Sequence, residues 1–312
     1  MRIDLDQVVN VENLVKRYGE FTAVDQVSFT VDRGEIFGIL GPNGAGKTTT
    51  LEIIEGLQTP TSGSTCVLGM DSRREASRVK ESIGVQLQAS AYFDFLTLEE
   101  ILELFGGFYR RSLPPAELLT RVGLAERAGS LVKHLSGGQQ QRFSIIASMV
   151  SDPDVLFLDE PTTGLDPQAR RSLWELVQAI RQEGKTIILT THYMEEAQTL
   201  CDRVAIMDRG RIVALETPER LIEGLDAPFH IRLRLSSPVE PGELAGQGVT
   251  GVSVDHQDGD REYRLQVTSA ADCLPALLDR LTGLDAQVLD LGVEKATLED
   301  VFLMHTGREL RD

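Results

Sequence analysis

Residues 41–48, GPNGAGKT, have the composition and spacing of a loop that binds phosphate. Glycines leave backbone amides accessible to phosphate oxygens, and the pattern G-x-x-x-x-G-K-[ST] ends in a lysine and a hydroxyl. Lys47 is expected to reach the β- and γ-phosphates of a nucleotide as a point charge. The Thr48 hydroxyl is expected to join the coordination shell of Mg²⁺. The segment predicts a nucleotide site formed by Gly41, Pro42, Asn43, Gly44, Ala45, Gly46, Lys47, Thr48 and Thr49.

Two adjacent carboxylates, Asp159 and Glu160, follow the apolar run VLFL at 155–158. Asp159, at the end of a predicted strand, can hold Mg²⁺ directly or through water, which is the second half of a phosphate-loop metal site. Glu160 faces the other way and can position or deprotonate an attacking water as a general base. The alternative is a pair of solvated carboxylates at a strand end.

A second candidate anion cradle lies in LSGGQQQR at 135–142. Bare backbone amides at the start of a helix can point together at a phosphate oxygen. One chain with two cradles, far apart in sequence, raises the question of whether the second one serves the chain's own nucleotide.

The elements that position these residues form an α/β pattern. RGEIFGIL (33–40), VLFLDE (155–160) and TIILT (186–190) are short apolar strand candidates, and helical spacing separates them. Such strands predict a parallel sheet covered on both faces. Leucine-rich helical periodicity between residues 90 and 150 predicts a helical subdomain inserted into this core.

The pattern changes after residue 228. Apolar residues alternate with polar ones around Ile231 and Tyr263, which predicts half-exposed antiparallel strands. A leucine-lined helix follows, with Asp272 as its expected cap and Pro275 in its first turn. A last strand and a short helix opened by Thr297 complete a predicted small α+β domain at 229–312, after a first domain at 1–228.

Composition narrows the possible partners. The net charge of −17, from 31 basic and 48 acidic residues, argues against nucleic acid and anionic lipid as direct partners. No segment approaches the roughly 18 apolar residues of a membrane span, and the first residues lack the apolar core of a signal peptide. The three cysteines, Cys66, Cys201 and Cys273, show no metal or disulfide spacing, so reduced thiols in a cytoplasm are expected.

Taken together, GPNGAGKT, LSGGQQQR, VLFLDEP, TTGLDP and TTH resemble, in that order and spacing, the ATP-binding cassette (ABC) ATPase family over about residues 5–225. The resemblance implies a phosphate-loop NTPase domain with a helical insert. It also implies that two subunits form a head-to-tail dimer around two ATP molecules. In that family, the LSGGQ segment closes over the ATP of the other subunit. Ser136, Gly137, Gly138 and Gln139 are then built for the partner's nucleotide.

The family pattern also assigns roles to single residues. Tyr18 matches the aromatic that stacks on adenine, with plain packing as its alternative. His192 matches the switch histidine that contacts the γ-phosphate and orients the catalytic carboxylate. Asp166 matches the loop that communicates between subunits. Gln86 and Gln88 are candidates for the glutamine that senses Mg²⁺ and couples to the transport partner, and Gln88 is preferred by its distance from the following LT, so it joins the expected catalytic and metal residues.

Three kinds of ABC protein remain as candidates: an exporter subunit, an importer subunit and a non-transport ATPase. The acidic charge and the single cassette disfavour the third. The ending KATLEDVFLMHTGREL resembles that of daunorubicin-resistance and other ABC-2 exporter ATPases, so export is preferred over import. The resemblance implies a separate membrane permease, a homodimer or a paralogous cassette, and a place on the inner face of the cell membrane. The C-terminal domain is expected either to cap the fold or, with slight preference, to contact its symmetry mate.

Overall fold

A computed structural model describes residues 6–86, 92–257, 260–284 and 286–307. These residues divide into two compact units, and the boundary lies between Pro218 and Glu219. The sequence-based boundary, after residue 228, lies further along the chain.

The first unit contains ten strands. They are β1 (Gln7–Tyr18), β2 (Phe21–Asp32), β3 (Ile36–Leu40), β4 (Ser62–Val67), β5 (Met70–Asp71), β6 (Ile83–Gln86), β7 (Val155–Asp159), β8 (Thr186–Thr191), β9 (Arg203–Asp208) and β10 (Arg211–Glu216). Its helices are α1 (Lys47–Ile54), α2 (Ala76–Ser82), α3 (Leu98–Gly106), α4 (Pro115–Arg121), α5 (Gly137–Ser148), α6 (Pro167–Gln182) and α7 (Met194–Leu200), and α8 (Pro218–Glu223) begins at the boundary.

A six-stranded sheet with the order β10-β9-β3-β8-β7-β6 forms the centre of this unit. All pairs are parallel except β9 with β10 at one edge. Every residue of β3, β7 and β8 is buried, as expected for strands covered on both faces. The predicted parallel sheet is confirmed. Because parallel strands end at the same edge, the segments after β3, β7 and β8 meet there.

A second sheet, antiparallel and ordered β2-β1-β4-β5, was not expected from the sequence. Its long hairpin β1–β2 packs against the central sheet, and the rings of Phe29 and Phe37 stack with centroids 5.0 Å apart. One apolar core joins the two sheets, with Val9, Val24 and Ile39 fully buried in it. The hairpin thereby comes beside the loop that follows β3.

Helices α3, α4 and α5 lie between β6 and β7, where the sequence predicts the helical insert. Thr97 begins α3 with a capping box: its hydroxyl accepts from the Glu100 backbone amide, and the Glu100 carboxylate accepts from the Thr97 amide. Leu98, Ile101 and Leu102 form the buried face of α3. The insert is thus an amphipathic bundle with its own apolar face.

The second unit is a four-stranded antiparallel sheet, ordered β12-β13-β11-β14, with three helices. Its elements are β11 (Phe229–Leu235), α9 (Pro241–Leu244), β12 (Val249–Gln257), β13 (Asp260–Val267), α10 (Ala270–Gly283), β14 (Val288–Lys295) and α11 (Leu298–Thr306). Ile231 and Leu233 of β11 and Leu265 of β13 are fully buried, as their alternation predicts. Thr297 caps α11 with a capping box that includes Asp300.

The start of α10 differs from the prediction. Ser269, not Asp272, is the cap, because the Ser269 hydroxyl accepts from the Asp272 backbone amide at 3.3 Å. The helix therefore begins earlier, and Pro275 lies inside it rather than in the first turn. Both residue types favour this position in a helix, so the pattern alone did not discriminate between them.

Candidate nucleotide site

The phosphate loop connects the end of β3 to the start of α1. Gly46 is the N-cap of α1, with φ of 100° and no side-chain cap, so the first amides of the helix have no side chain bound to them. A Cβ at Gly46 would lie 2.4 Å from the carbonyl oxygen of Ala23 on the β1–β2 hairpin. Glycine is therefore required both by the backbone and by the packing. The loop is an uncapped helix N-terminus, the geometry that binds anions.

Lys47 is buried, with only 4% of its side chain exposed. Its ammonium donates to the carbonyl oxygens of Gly41 at 2.8 Å and Pro42 at 3.2 Å. The same nitrogen lies 3.2 Å from Oε1 of Glu160. A buried ammonium is stable only with such partners, and it can exchange them for phosphate oxygens.

Thr48 and Asp159 face each other across the loop. The Thr48 hydroxyl lies 3.2 Å and 3.1 Å from the two carboxylate oxygens of Asp159. Thr190 of the neighbouring strand also donates to Asp159. Hydroxyl and carboxylate oxygens are the ligands that Mg²⁺ prefers, so the two predicted residues fit this ion.

Glu160 leaves the strand with an unusual backbone. Its φ is +46°, a left-handed conformation that non-glycine residues rarely adopt. The Glu160 amide donates both to the hydroxyl of Thr190 at 3.0 Å and to the backbone carbonyl oxygen of Thr190 at 3.2 Å. This turn separates the direction of Glu160 from that of Asp159. Thr163 donates to Oε2 of Glu160 at 3.1 Å. Burial raises the pKa of the carboxyl, but the Lys47 ammonium, with smaller effects of His192 and Thr163, lowers the pKa below its usual value.

His192 follows β8 directly. Its Nδ1 lies 3.2 Å from Oε2 of Glu160, so Lys47, Glu160 and His192 form a continuous row at the edge of the sheet. These three side chains come from segments far apart in sequence, and the parallel sheet brings them together.

The second cradle has its own cleft. Ser136 caps α5, and its hydroxyl accepts from the Gln139 amide at 3.4 Å, while the Gln139 side chain accepts from the Ser136 amide at 3.0 Å. Asp166 caps α6, and its carboxylate accepts from the Ala169 amide at 2.9 Å. A cavity of about 490 Å³ lies between the two helix starts and is lined by Ser136, Gly137, Gly138, Gln139 and Asp166. No residue of the phosphate loop lines this cavity, so the chain keeps its two cradles apart.

Tyr18 and the glutamines complete the predicted set. Tyr18 ends β1, is 47% exposed, and its hydroxyl donates to Gln58 just after α1. It belongs to the hairpin whose Ala23 packs on Gly46 of the phosphate loop. Gln86, the candidate that was not preferred, is a buried residue of β6. Gln88 lies outside the described residues.

Sequence reasoning missed two residues of the site. Thr190 contacts both Asp159 and the amide of Glu160, and Thr163 donates to the Glu160 carboxylate. Both belong to motifs already quoted, TTH at 190–192 and TTGLDP at 162–167. The two motifs could therefore have indicated both threonines, but only His192 and Asp166 were predicted as site residues from them.

Comparison with known proteins agrees with this geometry. The model of the family described as ABC transporter matches residues 24–163. The Nod factor export ATP-binding protein I of Ralstonia nicotianae is 40% identical over 98% of this chain and 95% of its own length. The chain belongs to the ABC transporter family. The daunorubicin resistance ATP-binding protein DrrA3 of Streptomyces coeruleorubidus is also 37% identical, over 98% of both chains.

A solved cassette has the same fold. The ATP-binding cassette MJ0796, in a dimeric post-hydrolysis state bound to ADP and Pi, matches with a TM-score of 0.61 and 27% identity, over 67% of this chain and 98% of that one. The predicted ABC-type phosphate-loop fold is thereby confirmed. Among the residues described, no helix combines the length and the apolar character that a membrane span requires.

Proposed function

We propose that this ABC subunit hydrolyses ATP between two cassettes closed head to tail, and that the cycle drives export through a separate permease. One observation carries the proposal: the row Lys47, Glu160 and His192 lies at the phosphate loop, whereas Ser136 and Asp166 line a separate cleft. A site that needs both groups requires two chains.

The residues of the phosphate-loop site divide the chemistry. Mg²⁺, when bound, supplies positive charge next to the phosphates, and Thr48, Asp159 and the predicted Gln88 would hold it. Lys47 binds the phosphate chain. A phosphate that accepts from Lys47 brings negative charge next to Glu160 and offsets the charge of the lysine, so the pKa of the carboxyl rises and the carboxylate becomes a stronger base. Glu160 then accepts a proton from water, and His192 orients it.

The dimer is supported by the exposure of the second cradle. Ser136 and Gly137 are exposed in the single chain, although capping serines and glycine amides make a ready anion site. The matched cassette is a dimer with ADP and Pi. A second copy of this chain, or a paralogous cassette, would cover Ser136, Gly137, Gly138 and Gln139 with its own nucleotide.

The permease is supported by aromatic side chains on the helical insert. Phe93, Phe95 and Phe108 are 55%, 87% and 73% exposed, which is unusual for large apolar residues. Helical segments of a membrane partner fit such a surface. The chain would then lie on the cytoplasmic face of the membrane, held there by that partner.

Affinity purification tests the export function. The tagged chain is isolated from gently solubilised membranes of its native cell, and co-purifying proteins are identified by mass spectrometry. A multi-span membrane protein in stoichiometric amount supports the proposal. We expect Phe95→Ser combined with Phe108→Ser to lose that partner, whereas Phe21→Ser, at another exposed aromatic residue, keeps it. Recovery only with ribosomal or nucleoid proteins would contradict export.

A further inference from the structure

Two helices next to the catalytic row are tied to each other by buried polar contacts. Helix α6 begins at its cap, Asp166, and helix α7 begins two residues after His192. The dimer-facing loop and the histidine therefore each lead into one of the two helices. Contacts between α6 and α7 connect these two parts of the site.

The first contact is a hydrogen bond inside the protein. Trp174 of α6 donates from Nε1 to Oε1 of Glu196 on α7 at 3.1 Å. Glu196 is completely buried, and Trp174 is 7% exposed. Burial of a carboxyl costs free energy that an apolar residue would avoid, so its presence here calls for a role.

The Glu196 carboxyl also faces the two segments that carry the catalytic residues. Burial raises its pKa, and the hydroxyls of Thr191 and Thr162, together with Trp174, act in the opposite direction. Thr191 directly precedes His192, and Thr162 follows Glu160 by two positions. This buried side chain thus lies near both segments, although within the described residues neither its Oε2 nor the Thr162 hydroxyl has a hydrogen-bond partner.

The second contact lies one helical turn from Trp174. The Arg170 guanidinium stands over the ring of Tyr193, 4.1 Å from its centroid. The Tyr193 amide donates to the Thr191 hydroxyl at 2.9 Å. The residue that follows His192 is therefore also fastened to α6.

We propose that Glu196 and Trp174 are positioning residues: their hydrogen bond holds the segments of Glu160 and His192 in register and ties both to α6 and its cap Asp166. This inference rests on the roles proposed above for Glu160 and His192. Neither residue touches the nucleotide, and both act through the backbone that carries the catalytic pair.

The variant Trp174→Phe with Glu196→Leu tests the role, because it replaces both members of the Trp174–Glu196 hydrogen bond and leaves neither of the two unpaired. Replacing both members of a buried hydrogen bond by apolar groups is nearly neutral for stability. We expect the double variant to unfold within about 4 °C of the wild type. We expect its kcat for ATP to fall about tenfold, because small misplacement of catalytic groups is costly, with the KM unchanged.

Two further variants sharpen the result. Glu196→Gln keeps an oxygen that accepts from Trp174, so we expect most of the kcat to be retained. Tyr263→Phe removes the buried hydroxyl that bonds Val239 in the second unit. It should alter stability, if anything, and leave kcat unchanged. Wild-type kcat in the double variant, a change confined to KM, or an equal loss in Glu196→Gln would each overturn the inference.

The assay includes Glu160→Gln to separate this inference from the proposed function. If that variant is inactive while the double variant turns over normally, only the positioning role fails. If Glu160→Gln hydrolyses ATP at the wild-type rate, the catalytic role fails, and the positioning role fails with it.

Discussion

The ammonium of Lys47 and the carboxylate of Glu160 form an ion pair at 3.2 Å, with 4% and 7% of the two side chains exposed. The pair joins the residue proposed to bind phosphate to the residue proposed to accept the proton. The charges of Lys47 and Glu160 thus compensate each other until a phosphate competes with Glu160 for the lysine. In this arrangement, the base reaches its full strength only after the substrate is bound.

Replacing Glu160 with glutamine should stop turnover and retain binding. The amide keeps the shape of the side chain but cannot accept the proton from water, so we expect kcat to fall at least about a hundredfold. The variant should accumulate as an ATP-bound dimer, measurable by size-exclusion chromatography with ATP and Mg²⁺. Wild-type hydrolysis would remove Glu160 from the catalytic role.

The substitution Ser136→Arg should abolish hydrolysis and leave ATP binding by the single chain nearly intact. The large cation would fill the exposed cleft beside Asp166, where the nucleotide of the other chain is proposed to lie. Calorimetric titration with ATP gives the affinity, and phosphate release gives the rate. Loss of ATP binding by the monomer would show that the cradle acts on its own chain's nucleotide.

Mixing two inactive variants tests the composite site directly. A dimer of one Ser136→Arg chain and one Lys47→Ala chain contains one site with both defects and one site with none. We therefore expect the mixture to recover hydrolysis that neither variant shows alone. A mixture that stays inactive, although it forms dimers with ATP, would contradict the head-to-tail arrangement.

Replacement of Tyr18 by alanine should weaken ATP binding. Stacking of a base on an aromatic ring stabilises binding, so we expect the Kd to rise about tenfold. Tyr18→Phe is the matched control, because it keeps the ring and loses only the hydrogen bond to Gln58. An equal rise in the Kd of both variants would show that the hydroxyl contact, and not stacking, matters.

Glu55 should make the stability of the protein depend on pH. The residue is 2% exposed, and its Oε2 has no hydrogen-bond partner within the described residues. Burial, followed by the charges of Asp159 and Glu52, raises the pKa of its carboxyl from 4.5 to about 8. The folded state thus keeps a proton that the unfolded state releases, and stability falls as the pH rises through that interval.

The variant Glu55→Gln mimics the protonated carboxyl and cannot ionise. We expect it to increase the free energy of unfolding by about 2 kcal/mol at pH 8 and to have little effect at pH 4.5. Thermal unfolding at both pH values measures the difference. Glu20→Gln, at an exposed position, should show no such difference. A gain of the same size at both pH values would contradict ionisation as the cause.

The parts of the fold that depend on neighbouring residues could be predicted from the sequence. The phosphate loop, the apolar strands β3, β7 and β8 and the capping box at Thr297 are each encoded within a few residues. The antiparallel sheet was missed, because its strands β1 and β2 pair across a hairpin and contain several irregularities of register. The burial of β1 accordingly does not alternate regularly, and that of β2 does so only from Val27 to Asp32.

The contacts of the site depended on three-dimensional context. The sequence predicts that Glu160 points away from Asp159, but its left-handed backbone depends on Thr190 of the adjacent strand. Likewise, nothing local connects Trp174 to Glu196. The predicted cap of α10 was wrong, because Ser269 and Asp272 are both residue types that favour the cap position. The local sequence did not show that Ser269 is the one that begins the helix.

The exposed cleft at Ser136 affects how the rate of ATP hydrolysis depends on the concentration of the subunit. In the proposed dimer each chain carries half of each site and has no complete site when it is alone, so at low concentration the rate of hydrolysis should rise with the square of the protein concentration. Subunits made in excess of their partner would then hydrolyse little ATP. A membrane partner that binds two subunits would bring them together and so start hydrolysis, and it would also be the protein whose transport the hydrolysis drives.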